Sequence, residues 1–113
     1  MSLLSMFTSA GASTGTLTPA DFMARRRPED AVLDVRTAAE YATGHVAGAT
    51  NLDVMSPAFR EAAARLDRQQ THYLYCRSGN RSAQATAILR EMGVDAYNIG
   101  GIGALAQAGV DLA

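Results

Sequence analysis

The chain has 113 residues, of which 48% are hydrophobic, and a formal net charge of -1. This length suits one domain with a core of its own, and the charge excludes the basic surface that attracts nucleic acid or an anionic membrane. With one cysteine, two histidines and only arginine as a basic side chain, the chain excludes an internal disulfide, the usual structural zinc site and lysine chemistry, and we expect no cofactor.

The beginning of the chain differs in composition from the rest. Residues 8–16 are rich in Ser, Thr and Gly, and the apolar run before them is too short for the core of a signal peptide. We therefore predict a flexible leader over residues 1–15, one domain over residues 16–113 and a cytoplasmic location.

Short apolar runs and helical patterns alternate from Leu17 onward. Thr18 followed by Pro19 is typical of a helix start, and this first helix should run to about Arg26. Residues 31–35 form a continuous apolar run that predicts a strand. After it, the sequence 37–40 has the spacing of a capping box, which predicts a second, short helix that is stopped by glycine.

The second half of the chain continues the alternation. Ser56 and Pro57 should begin a helix, and Gly93 is well placed to end the helix that follows the cysteine. The other predicted elements are an extended segment at 48–54, strands at 71–75 and 94–99, and a terminal helix around 104–108.

The order of these elements indicates an α/β fold. Continuous rather than alternating apolar strands, separated by helices, favour a mostly parallel sheet that is covered by helices on both faces. Ligands of such sheets bind outside the carboxyl ends of the strands. Cys76 lies at such an end, where a strand passes into a polar loop and then a helix.

This cysteine is the candidate nucleophile. A helix that begins just after it would direct unpaired N–H groups and the positive end of its dipole at the sulfur, which favours the thiolate. Gly79 permits a tight backbone path, and the arginines of the loop can attract an anion. The predicted anion-binding loop consists of Arg77, Ser78, Gly79, Asn80, Arg81 and Ser82.

Three segments of the chain form a distinctive set. They are Asp34-Val35-Arg36 with the stretch from Glu40 to Asn51, the loop from Tyr75 to Ser82, and Asn98-Ile99-Gly100-Gly101-Ile102 with Ala108-Gly109-Val110. Together they resemble the single-domain rhodaneses, which are thiosulfate or persulfide sulfurtransferases. The resemblance covers about residues 16 to 111 in the family's order. Leu105 departs from it, because the family often has tryptophan there.

The resemblance implies a five-stranded parallel sheet and a double displacement at Cys76. The thiolate would take a sulfane sulfur from thiosulfate or a small persulfide, form a persulfide, and pass the sulfur to cyanide, a thiol or a sulfur-accepting protein. Because the chain has no second cysteine, the acceptor should come from outside.

Several polar residues have a structural alternative to a role at the substrate. Asp34 and Arg36 follow the first strand, and we expect them to tie the loop by charged hydrogen bonds rather than to touch substrate. Glu40 is explained by its capping box and His45 by ordering a loop. Arg81 can support the loop as well as bind an anion.

Two other functions stay open from the sequence. Some relatives of this fold are phosphatases or arsenate reductases, but their loops resemble Cys-x5-Arg, whereas Arg81 gives Cys-x4-Arg and a smaller cradle. A regulatory or interaction module without turnover is the second alternative, and the presence of Cys76 with a basic loop disfavours it.

Overall fold

The computed structural model describes residues 14–113, so most of the predicted leader lies outside the described residues. The described chain folds into nine helices and strands. In chain order they are α1 (Pro19–Arg25), β1 (Ala31–Asp34), α2 (Ala38–Ala42), β2 (Thr50–Asn51), α3 (Phe59–Ala63), β3 (His72–Cys76), α4 (Asn80–Glu91), β4 (Ala96–Gly101) and α5 (Ile102–Gln107).

The strands form one sheet with the order β2-β1-β3-β4, and all three pairs are parallel. The predicted parallel α/β sheet is confirmed, but the count of five strands is wrong by one within residues 14–113. Within the described part of the chain, β4 is flanked on its outer side by an isolated bridge from Thr16 to Asn98 and by no further strand. The chain turns into α1 almost at once, since Thr18 already caps that helix and accepts a hydrogen bond from the Asp21 N–H.

Helices cover both faces of the sheet, as predicted. On one face Phe22 of α1 and Leu105 of α5 pack with Tyr73 and other strand side chains. On the opposite face Phe59 of α3 and Leu89 of α4 pack in a second cluster around the alternate strand residues. Both faces of the sheet are thus covered by apolar clusters, and a ligand would have to bind at the ends of the strands.

The predicted signals at helix ends are confirmed for α1, α2 and α4, but α3 begins at Phe59 rather than at Ser56 or Pro57, and its N-cap Ala58 makes no side-chain hydrogen bond. Thr37 and Glu40 form both hydrogen bonds of the capping box at α2, and Gly93 has the left-handed φ of 83° that ends α4. The last predicted strand is displaced by two residues, because the Val94 N–H still bonds to the Leu89 carbonyl of the helix end. None of the described helices is long and apolar enough to cross a membrane.

An irregularity in β4 shapes the carboxyl edge of the sheet. Leu74 pairs with Asn98, but Cys76 pairs with Gly101, so β4 has one more residue than β3 over this stretch. The extra length is accommodated at Gly100, whose φ is 95°. The resulting bulge lies next to the candidate nucleophile.

Candidate active site

Cys76 is the last residue of β3, and α4 begins four residues later at Asn80. The cysteine has 0% of its surface exposed and lies in the cluster under α3 and α4. Gly79 makes the turn between strand and helix with a φ of 98°, a conformation that favours glycine. This turn points the first N–H groups of the helix back toward the sulfur.

Three donors converge on the sulfur of Cys76. The Gly79 N–H lies 3.0 Å from Sγ, the Ser82 N–H 3.4 Å and the Ser82 hydroxyl 3.3 Å. Burial opposes ionisation of the thiol, but hydrogen bonds from Ser82, Gly79 and Ser78 outweigh it and hold the pKa of Cys76 below its ordinary value. A thiolate with this support is a competent nucleophile without a separate base.

Asn98 of β4 fastens the loop that carries these donors. Its Oδ1 accepts hydrogen bonds from the Ser82 hydroxyl at 2.8 Å and the Gly100 N–H at 3.0 Å. Its Nδ2 donates to the carbonyl of Gly79 at 3.2 Å. One side chain therefore joins the turn, the first turn of α4 and the bulge of β4.

Gly101 brings β4 against the same loop from the other side. A Cβ atom at this position would lie 2.5 Å from the Arg77 carbonyl oxygen and 3.3 Å from Cα of Ser78. Its own φ is −102°, so space rather than backbone conformation requires glycine here. The loop backbone consequently rests directly on the backbone of β4.

The two arginines of the loop have different surroundings. Arg81 donates to both carboxylate oxygens of Glu40, at 2.7 and 2.9 Å, and thereby joins the first turn of α4 to α2. Arg77 is exposed, and within residues 14–113 its side chain makes no hydrogen bond or ion pair. The charge of Arg81 is therefore compensated by Glu40, whereas the exposed Arg77, the residue after Cys76 in the chain, is uncompensated within the described residues.

Asp34 and Arg36 form a buried ion pair beside the site. The Arg36 Nη2 lies 2.7 Å from the Asp34 carboxylate and also donates to the Gly44 carbonyl at 2.6 Å. Tyr75, the neighbour of Cys76 on β3, donates its hydroxyl to Asp34 at 2.7 Å. The pair holds the loop after β1 against β3, and within the described residues neither side chain bonds to the cysteine loop.

The remaining loop residues lie at the surface. Ser78 and Asn80 are exposed, and Asn80 is the first residue of α4. The helix has no side-chain cap, because its N-cap position is Gly79. The structure thus brings Gly79 and Ser82 to the sulfur, places Arg81 on a carboxylate, and leaves the side chains of Arg77, Ser78 and Asn80 exposed to solvent.

The sequence alone does not predict the roles of Asn98 and Gly101 at this site, nor the pairing of the Glu40 carboxylate with Arg81. The position of Asn98 is a hint of such a role, because it is a polar residue among the apolar and glycine residues of β4, toward the edge of the sheet where ligands bind. Glu40 gave no such signal, because its capping box already explained it. Only the fold shows that α2 lies beside α4.

Comparisons with known proteins agree with this geometry. The family model described as Rhodanese-like domain matches residues 18–108. Over 71 residues the chain is 39% identical to the thiosulfate sulfurtransferase PspE of Escherichia coli, with 62% of this chain and 68% of that protein covered.

Two further similarities involve Thermoplasma volcanium. A tRNA sulfurtransferase of that organism is 36% identical over 78 residues, which cover 68% of this chain but only 15% of that protein. The crystal structure of a rhodanese-related protein superposes with a TM-score of 0.76 at 28% identity, covering 87% of this chain and 96% of that one.

Proposed function

Because this chain belongs to the rhodanese-like domain family, we propose that it is a sulfurtransferase that carries a sulfane sulfur on Cys76. The observation that supports this most directly is the set of three donors within 3.4 Å of the Cys76 sulfur. Such a cradle stabilises an anionic sulfur, which is the form needed both to accept and to release a sulfur atom.

The proposed reaction has two displacements. In the first, the Cys76 thiolate attacks the sulfane sulfur of thiosulfate, a new S–S bond forms, and sulfite leaves with the electron pair of the broken bond. In the second, cyanide or a thiolate attacks the outer sulfur of the persulfide, and the Cys76 thiolate is the leaving group. Both steps balance without an added oxidant or reductant.

The residues around the sulfur take complementary parts in this proposal. Gly79 and Ser82 stabilise the thiolate as attacking and as leaving group. Exposed Arg77 attracts the anionic donor, whereas Arg81, held by Glu40, supports the loop. A persulfide of glutathione or of a protein would present the same sulfane sulfur, and a small thiol or a sulfur-accepting protein would receive it.

Turnover tests this proposal directly. Purified protein is incubated with thiosulfate and cyanide, and thiocyanate is measured; the same preparation is tested on phosphate esters and arsenate. We expect thiocyanate from the wild type and none from Cys76→Ser. Hydrolysis of esters or reduction of arsenate without thiocyanate would indicate the oxyanion enzyme, and no turnover of any substrate would indicate an interaction module.

The location of the reaction is part of the same proposal. We propose that the protein acts in the cytoplasm, because thiols that can accept the sulfur are maintained in the reduced form there. Fractionation of cells that express the tagged full-length protein tests this expectation, and recovery outside the cytoplasm would contradict it.

A further inference from the structure

The hydroxyl of Ser82 has one hydrogen and two acceptors within reach. Its Oγ lies 2.8 Å from Oδ1 of Asn98 and 3.3 Å from Sγ of Cys76. We propose that Asn98 is a positioning residue that competes with the Cys76 sulfur for the Ser82 proton and so sets the balance between thiol and thiolate.

The orientation of the Asn98 amide follows from its backbone partners. Its Oδ1 faces the Gly100 N–H, which can only donate, and its Nδ2 faces the Gly79 carbonyl, which can only accept. Asn98 is only 8% exposed, so water does not replace these partners. The oxygen of the amide therefore faces Ser82, and in this contact the hydroxyl is the donor.

This arrangement suits an uncharged cysteine. While Ser82 donates to Asn98, the lone pairs of its Oγ face the sulfur and can accept from the Cys76 S–H. A thiolate needs the opposite arrangement, in which the hydroxyl turns and donates to the sulfur. Ionisation thus breaks the bond between Ser82 and Asn98, while the Asn98 oxygen keeps its bond from Gly100.

The competition has a consequence for the sulfur carrier. Compared with a site that lacks Asn98, the resting cysteine is shifted toward the thiol, although its pKa still lies below the ordinary value. The hydroxyl is released to the sulfur when a negative charge develops there, in the thiolate or the outer sulfur of a persulfide. This consequence for transfer rests on the proposed function. The competition itself concerns the free protein and can be measured without any sulfur donor.

The test is a double-mutant cycle on the titration of Cys76. The wild type, Asn98→Ala, Ser82→Ala and the double variant are alkylated with iodoacetamide across a pH series, and the single cysteine makes the rate specific. The charged groups around the sulfur are the same in all four proteins: Arg77, Arg81 with Glu40, Asp53 near Arg81, and the Asp34–Arg36 pair.

We expect Asn98→Ala to lower the apparent pKa of Cys76 in the wild-type background, because the released hydroxyl donates fully to the sulfur. One hydrogen bond corresponds to a rise of about two- to tenfold in the ratio of thiolate to thiol below the pKa. In the Ser82→Ala background the same substitution should not lower the pKa. The loss of the bond to Gly79 is common to both backgrounds and cancels in the cycle.

An equal shift of the pKa in both backgrounds, or a raised pKa in the single variant Asn98→Ala, would overturn the proposal. Asn98 would then only hold the loop backbone in place.

If Asn98→Ala does not fold, as judged by circular dichroism, Asn98→Asp replaces it. The carboxylate is a stronger acceptor for the Ser82 hydroxyl, so it should raise the pKa more with Ser82 present than in Ser82→Ala. An equal rise in the two backgrounds would contradict the competition. Failure of sulfur transfer would leave these titrations unaffected.

Discussion

Gly101 is the residue at which the smallest change should disturb the site most. Because a Cβ there would lie 2.5 Å from the Arg77 carbonyl oxygen, Gly101→Ala must displace the loop that carries the donors to Cys76. We expect the rate of sulfur transfer to fall on the order of ten- to a hundredfold, since sub-ångström to ångström misplacement of reacting groups has effects of this size. Thiocyanate formation measures it.

Gly103 supplies the matched control two residues later. It lies in α5, and a Cβ there would meet no atom within 4 Å. Gly103→Ala should keep the wild-type rate and raise the free energy of unfolding by about 0.5 to 1 kcal/mol, because alanine restricts the unfolded chain more than glycine. Equal losses of activity in the two variants would contradict a specific contact between Gly101 and the loop.

Loss of the Asp34 carboxylate should strongly destabilise the fold. Its carboxylate is fully buried and accepts hydrogen bonds from Arg36 and Tyr75. Asp34→Asn leaves the Arg36 guanidinium buried without a counter-charge, which costs about 3 to 5 kcal/mol in such pairs. Denaturant unfolding measures the change.

The exposed pair of Glu61 and Arg65 is the control for this prediction. Both side chains are more than 70% exposed, at 72% and 74%, and such pairs contribute at most about 1 kcal/mol. Glu61→Gln should therefore change the unfolding free energy far less than Asp34→Asn. A similar small effect of both substitutions would show that the buried pair is not needed to hold the loop after β1.

The helices α2 and α4 are connected by the ion pair of Glu40 and Arg81, and this connection should depend on pH. Hydrogen bonds from the Arg81 guanidinium, which has the largest effect, and from Thr37 lower the pKa of Glu40 from 4.5 to about 2. A carboxyl with a lowered pKa contributes stability above its unfolded pKa and loses it as the pH falls through the folded pKa. The contribution should therefore be complete above about pH 5 and disappear between about pH 4.5 and 2.

Glu40→Gln isolates this contribution. Unfolding free energies of the variant and the wild type, measured from pH 7 to pH 2, should differ by a constant amount near neutrality and converge in acid. The lowered pKa alone corresponds to a larger effect, but both side chains are partly exposed, at 26% and 29%, and solvent screening should reduce the difference to about 1 kcal/mol. Parallel curves down to the lowest pH would contradict the pairing.

The starts of α1 and α2 and the end of α4 are the boundaries that the sequence predicts best, whereas α3 begins later than predicted, at Phe59. Thr18, Thr37 and Gly93 act through local hydrogen bonds and backbone angles, which depend on neighbours in the chain. The displaced start of β4 and the missing fifth strand were not predictable in this way. Both depend on how many residues of a segment form hydrogen bonds with the neighbouring strand, and that number is set by the assembled sheet.

The site around Cys76 likewise combines contacts within one segment of the chain with contacts between distant segments. The loop from Cys76 to Ser82 is contiguous, so its turn and its helix start could be inferred from the sequence. Asn98 and Glu40 reach the loop from other parts of the chain. Their contacts exist only because the parallel sheet places β4 next to β3 and brings α2 beside the start of α4.

The molecule as a whole is organised around the carboxyl edge of its sheet. All described strands are parallel, so their ends meet at one edge, and the helices on both faces leave that edge for chemistry. The buried ion pair after β1, the cysteine after β3 and the bulge of β4 are neighbours there. The hydrogen-bond donors around the sulfur are therefore held in place by contacts from several distant parts of the chain.

The measurement that tests the central claim most directly is the intact mass of the purified protein after incubation with thiosulfate and removal of the excess. We predict that the wild type gains one sulfur atom on the peptide that contains Cys76 and loses it on addition of cyanide or a thiol, while Cys76→Ser gains none. An unchanged mass of the wild type with thiosulfate and with a small persulfide, or a sulfur gain in Cys76→Ser, would contradict a persulfide carried on Cys76.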